Sequence, residues 1–192
     1  MSLPDSEALL SALEDYPAVI ARQGVSRLPE LDRWYRDVLP ASIRDRQPGR
    51  VTRDELVRIT EWKMARGVWR GRNLALVRGN DPETVAETSE RALSQIPHAT
   101  KPISELAKLK GIGPATASAV AAAAAPDVYP FFDELVAAQL SDLGEVAWTM
   151  GYYARYSDLL RSAARDFGDP WTPARLERAL WAHVGGKAGA TD

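Results

Sequence analysis

Apolar residues recur along this chain at intervals of three and four, and no stretch alternates apolar with polar long enough to make a strand. The pattern predicts helices throughout. The first covers residues 5–22, with Leu9, Leu10, Leu13, Val19 and Ile20 as its apolar positions and a kink at Pro17. A second runs over 30–38 and closes at Pro40, because proline lacks the N–H that a continuing helix needs. Thr52-Arg-Asp-Glu55 has the form of a capping box and opens a helix to Arg66, with Leu56, Ile59 and Met64 in the core. Asp81 followed by Pro82 starts another that reaches residue 95. Two apolar, Ala-rich segments follow at 102–109 and 114–125. Asp133 caps a short helix to Leu140, and helices at 152–167 and 173–184 complete the set, the last capped by Thr172. A compact all-α domain over 1–185 is expected, followed by a Gly/Ala-rich tail over 186–192 that frays.

Composition narrows the function classes. A chain of 192 residues with 45% hydrophobic content buries the core of one domain. No run approaches a membrane span: the apolar stretch at 119–125 is short and Pro126 ends it. No secretion leader is read, which predicts a protein of the cytoplasm, or of the nucleus in a eukaryote. The absence of cysteine excludes disulfides, thiol catalysis and cysteine-held iron–sulfur or zinc sites. His98 and His183 lack ligand spacing, so no metal site is expected.

The net charge of −2 is no nucleic-acid signature, but its distribution is uneven. Between Arg50 and Arg78 eight cations face three carboxylates, so this segment carries five net positive charges and the remainder seven net negative. That describes either one basic face on an acidic body or a solvated helix laced with ion pairs. If the helix ending near Arg66 continues through Arg70, then Lys63, Arg66 and Arg70 share a face that can line phosphates. Trp62 and Trp69 fall on the same side, where they either stack on a base or fill core. Trp34, Trp171 and Trp181 read as core.

The most informative stretch is Leu-Lys-Gly-Ile-Gly-Pro-Ala-Thr-Ala at 109–117, which joins the two Ala-rich helices through a Gly-Ile-Gly turn. Gly111 and Gly113 allow positive φ and close approach of another backbone or an anion. Ile112 is an apolar plug, and Leu106 and Leu109 face Ala117, Val120 and Ala121 across a narrow helix–helix gap. Pro114 suits the first helical position and leaves the amides of Ala115 and Thr116 free for an anion. The same string without a ligand is a plain helical hairpin.

This hairpin resembles that of the helix-hairpin-helix DNA glycosylases, the HhH-GPD superfamily. There the hairpin leads into a Gly/Pro-rich loop and then an aspartate. Here Pro126-Asp-Val-Tyr-Pro-Phe-Phe-Asp133 supplies the loop, and Asp133 stands twenty residues beyond Gly113, as in the family. The resemblance covers residues 102–140 and implies an HhH-GPD-like fold that binds duplex DNA with a flipped base. It implies phosphate contacts at Lys110, Gly111, Ile112, Gly113, Ala115 and Thr116, joined by Lys63, Arg66 and Arg70. Walls of a base pocket would come from Trp62, Tyr129, Phe131 and Phe132, with Trp148 a further aromatic. Asp133 would stabilise the cationic sugar as the base departs, although the residue also reads as a helix N-cap alone. No cofactor is implied, and a monovalent cation at the hairpin is.

Departures refine the expectation. Ala115 stands where bifunctional members carry their Schiff-base lysine, so lyase chemistry is not expected. Phe131-Phe132-Asp133-Glu134 replaces the family's Val-Asp-Thr-His, and Lys110 replaces a proline, adding a phosphate contact. The expected function is a monofunctional DNA glycosylase for a damaged or mispaired base. A non-catalytic DNA-binding module and a protein-interaction domain on the same fold are the alternatives.

Overall fold

A computed structural model describes residues 3–189, and among them every regular element is helical. Helix α1 (Ser6–Arg22) begins where the Asp5 carboxylate accepts the Ala8 N–H at 2.9 Å. It runs through Pro17 and buries Leu9, Ala12, Tyr16, Val19 and Ile20. Leu10, expected inward, is exposed because it lies off that stripe.

The next element corrects the sequence reading. Helix α2 (Leu28–Arg33), a π turn (Trp34–Val38) and α3 (Leu39–Arg44) form one continuous rod, and Pro40 does not close it. The Leu39 N–H reaches back five residues to the Trp34 carbonyl. That wider turn removes the clash and the missing donor that a proline brings to an ordinary α register.

Helix α4 (Arg53–Arg66) carries the complete capping box: Thr52 Oγ1 accepts the Glu55 N–H at 3.2 Å, and Glu55 Oε2 accepts the Thr52 N–H at 2.8 Å. It stops at Gly67 and does not extend through Arg70. An unpredicted helix, α5 (Gly71–Arg78), follows; its N-terminus has no side-chain cap, so no sequence signal announces it. Helix α6 (Pro82–Leu93) is capped by Asp81 as expected.

The hairpin consists of α7 (Lys101–Leu106) and α8 (Pro114–Ala124). Residues 115–123 of α8 are all buried, which suits a helix of small apolar residues packed on every side. Short α9 (Glu134–Ala138), α10 (Met150–Phe167) and α11 (Pro173–His183) follow, with caps at Asp133, Thr149 and Thr172. Helix α11 lies along α1, and α4 packs on α2, α5 and α8.

The tail is not frayed up to residue 189. Its last turn, α12 (Gly186–Gly189), docks because Gln23 Nε2 donates to the Gly185 carbonyl at 3.0 Å and Lys187 Nζ donates to that of Gly67 at 3.1 Å. The expectation for residues 190–192 lies outside the described residues. No described helix is long and apolar enough to cross a membrane.

Helix α5 and the hairpin turn hold each other. The Asn80 amide donates to the Lys110 carbonyl and accepts the Lys110 N–H, both at 2.9 Å. Gly111 has φ +76°, and a Cβ there would stand 2.7 Å from the Asn73 carbonyl oxygen and 2.9 Å from Val77. Gly111→Ala should therefore cost about 1–3 kcal/mol, combining left-handed strain with overpacking. Chemical denaturation measures it, and an unchanged midpoint would mean that α5 does not seat on the turn.

Candidate functional site

The second helix of the hairpin leads away from the turn, and the chain then doubles back along it. Ser118 Oγ accepts the Phe132 N–H at 2.9 Å, so the returning loop lies beside the middle of α8. Tyr156 Oη donates to the Phe131 carbonyl at 2.7 Å and Tyr153 Oη to that of Pro130 at 3.3 Å. Burial pushes both phenols above their ordinary pKa, so they remain donors. The loop ends at Asp133, whose carboxylate caps α9 by accepting the Leu135 N–H at 2.9 Å.

Beneath Asp133 lies Arg66, 2% exposed. Its Nη2 meets Glu177 Oε1 at 2.7 Å and Asp133 Oδ2 at 3.3 Å. The guanidinium rests against three aromatic rings, 4.3 Å from the centroid of Trp181, 5.1 Å from Trp62 and 5.2 Å from Phe131. Such stacking suits arginine, which is weakly hydrated and planar. Burial lifts Glu177 above the usual carboxylate range, with the attraction of Arg66 opposing that rise. Sequence reading missed Glu177. Its signal is register: Pro173, Leu180 and Trp181 stand at i−4, i+3 and i+4, which places this charge on the apolar stripe of α11.

Asp133 lines a cavity of about 300 Å³ together with Lys63, Phe131, Phe132 and Trp148. The Phe132 and Trp148 rings are tilted with centroids 4.8 Å apart. Next to it is a second hollow of about 220 Å³, walled by Gly111, Gly113, Ala115 and Thr116. Lys63, Arg70 and Trp148 line both. Gly113 is the N-cap of α8 but supplies no side chain to the first-turn amides, which open toward this hollow. Burial, reinforced by Arg70, lowers the Lys63 pKa, while Asp133 and Glu134 pull it upward.

The sequence-predicted residues divide on this map. Asp133, Lys63, Arg70, Phe131 and Phe132 meet around the Asp133 cavity, and Gly111, Gly113, Ala115 and Thr116 meet at the turn. Arg66 also lines the Asp133 cavity, but at 2% exposure and paired with Glu177 it is a buried cation, not one that shares a surface face with Lys63 and Arg70. Helix α4 ends at Arg66, and Arg70 is the N-cap of α5. Trp62 is wholly buried, stacks on Tyr35 at 3.7 Å and donates to Asp32 at 2.8 Å, so it lines no cavity. Tyr129 is likewise buried and donates to the His98 carbonyl at 2.8 Å. Ile112 is the buried plug of the turn, and the exposed Lys110 lines neither hollow; its backbone is bonded to Asn80. Trp34, read as core, is half-buried under Arg58.

The chain matches no protein-family model, no curated protein and no solved structure. The arrangement can do two things: the turn and its cations can hold an oxyanion, and beside it a carboxylate can face positive charge developing between aromatic walls.

Removing the cation tests the buried centre. Arg66→Met leaves two buried carboxylates facing each other and should cost about 3–5 kcal/mol in urea denaturation. Adding Glu177→Leu should restore part of that loss. Additive losses in the double variant would show that Arg66 and Glu177 do not act as a pair.

Proposed function

We propose that this protein binds duplex DNA at the 111–116 turn and hydrolyses the N-glycosidic bond of a base flipped into the Asp133 cavity. It would act as a monofunctional DNA glycosylase on an HhH-GPD-like fold. One observation carries the reading: the turn and the carboxylate open on one face, where Lys63, Arg70 and Trp148 line both hollows. Flipping supplies what the chemistry requires, since the bond is shielded inside a duplex. The extruded base then lies against Phe132 and Trp148 while the flanking phosphates meet the α8 amides, Lys63 and Arg70.

In the reaction, the bond between the sugar C1′ and the base nitrogen breaks with its electron pair leaving on the base. Positive charge spreads over the sugar, and Asp133 stabilises it at short range. Water attacks C1′ and loses a proton, and the departing base gains one, which leaves an abasic sugar and a free base. Ala115 offers no amine at the position where bifunctional members carry their lysine, so strand cleavage by that route is not expected.

The Arg66–Asp133 contact of 3.3 Å favours a second reading, a non-catalytic DNA-binding module. A carboxylate already neighboured by a guanidinium offers less net charge to a cationic sugar.

Abasic-site formation on a panel of lesion-bearing duplexes decides between them. Asp133→Asn should lower base release at least ~100-fold and leave DNA affinity within about twofold. Salt-sensitive binding without any release by the natural protein would establish the second reading. Neither binding nor release would overturn both and leave a protein-interaction domain.

Gly113→Asp tests the anchor separately. Nothing lies within 4 Å of a Cβ at this position, and φ is −102°, so the fold accepts the side chain. A carboxylate there repels phosphate and should weaken binding at least ~10-fold on every duplex sequence. Weakening confined to particular sequences would mean that the turn reads bases.

A further inference from the structure

A third cavity, of about 300 Å³, lies at the other end of α8, lined by Ala122, Ala123 and Pro126. Eight residues separate Ala115 from Ala123, which places this cavity about 12 Å along the helix from the turn. Phe131 separates it from the Asp133 cavity, since that ring lines both. Its polar wall carries three cations, Arg36 from the π turn and Arg175 and Arg178 from α11, and two carboxylates, the exposed Asp127 and the buried Glu177.

The charges around it are unevenly matched. Arg36 is already held, with Nε 3.1 Å from Asp32 Oδ2, and Glu177 in the same wall is held by Arg66 at 2.7 Å. Among the described residues, Arg175 and Arg178 have no ion-pair partner. The Nε atoms of both are buried without a hydrogen-bond acceptor. Each guanidinium lies near an aromatic ring, Arg175 over Trp171 at 5.7 Å and Arg178 over Tyr16 at 5.6 Å. Two guanidiniums are thus pre-set in a concave, half-buried site, beside a third that adds to their field. Burial, followed by the proximity of Arg36, lowers the pKa of Arg178, while Tyr16, Glu177 and Asp32 pull it upward.

We propose that this cavity binds the phosphate group of a small molecule, with Arg175 and Arg178 as its donors and Arg36 as a flanking charge. With Arg36 and Glu177 already paired and Asp127 opposing them, the two unmatched guanidiniums still leave a net positive charge that calls for an anion. A guanidinium fork matches a tetrahedral oxyanion with paired N–H donors. The apolar part of the ligand would lie against Tyr35, Phe131 and the prolines of the rim. At the low end of the usual ligand-cavity range, roughly 300–1,000 Å³, the space admits a phosphate with a modest organic group. The proposal does not depend on the glycosylase reading.

The experiment is an NMR titration of the full chain with inorganic phosphate at constant ionic strength, following the arginine Nε–H resonances. Saturable shifts at Arg175 and Arg178 are expected. Arg178→Gln or Arg175→Gln should raise the phosphate Kd about tenfold or more, since each removes a charge-assisted donor. Arg70→Gln, which alters the hairpin side, should leave that Kd unchanged. Shifts that never saturate would overturn the proposal, as would a Kd that rises in Arg70→Gln but not in the α11 variants. A short DNA duplex separates the sources of phosphate: if it displaces inorganic phosphate and shifts the same two resonances, the small-molecule assignment fails.

Discussion

Arg66 is the interaction on which the rest of the site depends. Its guanidinium joins three separate parts of the chain: α4, which carries it; α11, which supplies Glu177; and the start of α9, where Asp133 sits. Bringing these charges out of water is costly, and mutual attraction alone does not reliably offset that cost. The three rings around the guanidinium change the balance, because they take a weakly hydrated planar cation more readily than an ammonium. Glu177 holds the shorter contact, which leaves Asp133 the looser partner, with one oxygen on the Leu135 amide and the other beside the cavity. The centre contains two carboxylates to one guanidinium, so the charge that Glu177 carries governs how far Asp133 is neutralised.

A second constraint fixes where that carboxylate lies relative to the hairpin turn. Helix α8 travels outward for eleven residues, and the loop returns alongside it. Ser118 ties the return path at Phe132 and in turn donates to the Ala115 carbonyl at 2.8 Å. The spacing of twenty residues between Gly113 and Asp133 is thus the length of one short helix and the loop that folds back along it. Alanine side chains make the return possible, since a bulkier α8 would hold the loop away.

What was legible in the sequence follows from the range of the forces involved. Capping is local, so Asp5, Thr52, Asp81, Asp133 and Thr172 each mark a helix start that the structure has. The turn was legible for the same reason, and Gly111 takes the positive φ expected of it, whereas the α5 helix that crowds it was not foreseen. Pro40 misled because the π turn ends just before it, which puts it in the first turn of α3, where a helix tolerates proline. Arg66 and Trp62 misled in another way: helical spacing put them on one side of α4 but did not say whether that side faced water. Glu177 was invisible as a partner because its cation lies 111 residues away. The last turn, docked through Gln23, depends on a contact 162 residues distant, which no local pattern can announce.

The basic segment shows why net charge predicts so little here. Of its eight cations, Arg66 is internal, while Arg53, Arg58 and Arg78 are spent on Asp54, Glu30 and Glu61. Arg50 bonds the Pro48 carbonyl. Lys63, Arg70 and Arg72 have no ion pair among the described residues, and the first two stand where the turn hollow meets the Asp133 cavity. An acidic protein can present a positive field wherever its cations are unmatched and partly desolvated, because dissolved salt screens its distant carboxylates beyond about 10 Å. The uneven charge read along the chain is therefore part ion pairs and part unmatched cations: four of the eight are paired where they stand, and of the other four, Lys63 and Arg70 stand where the two hollows meet.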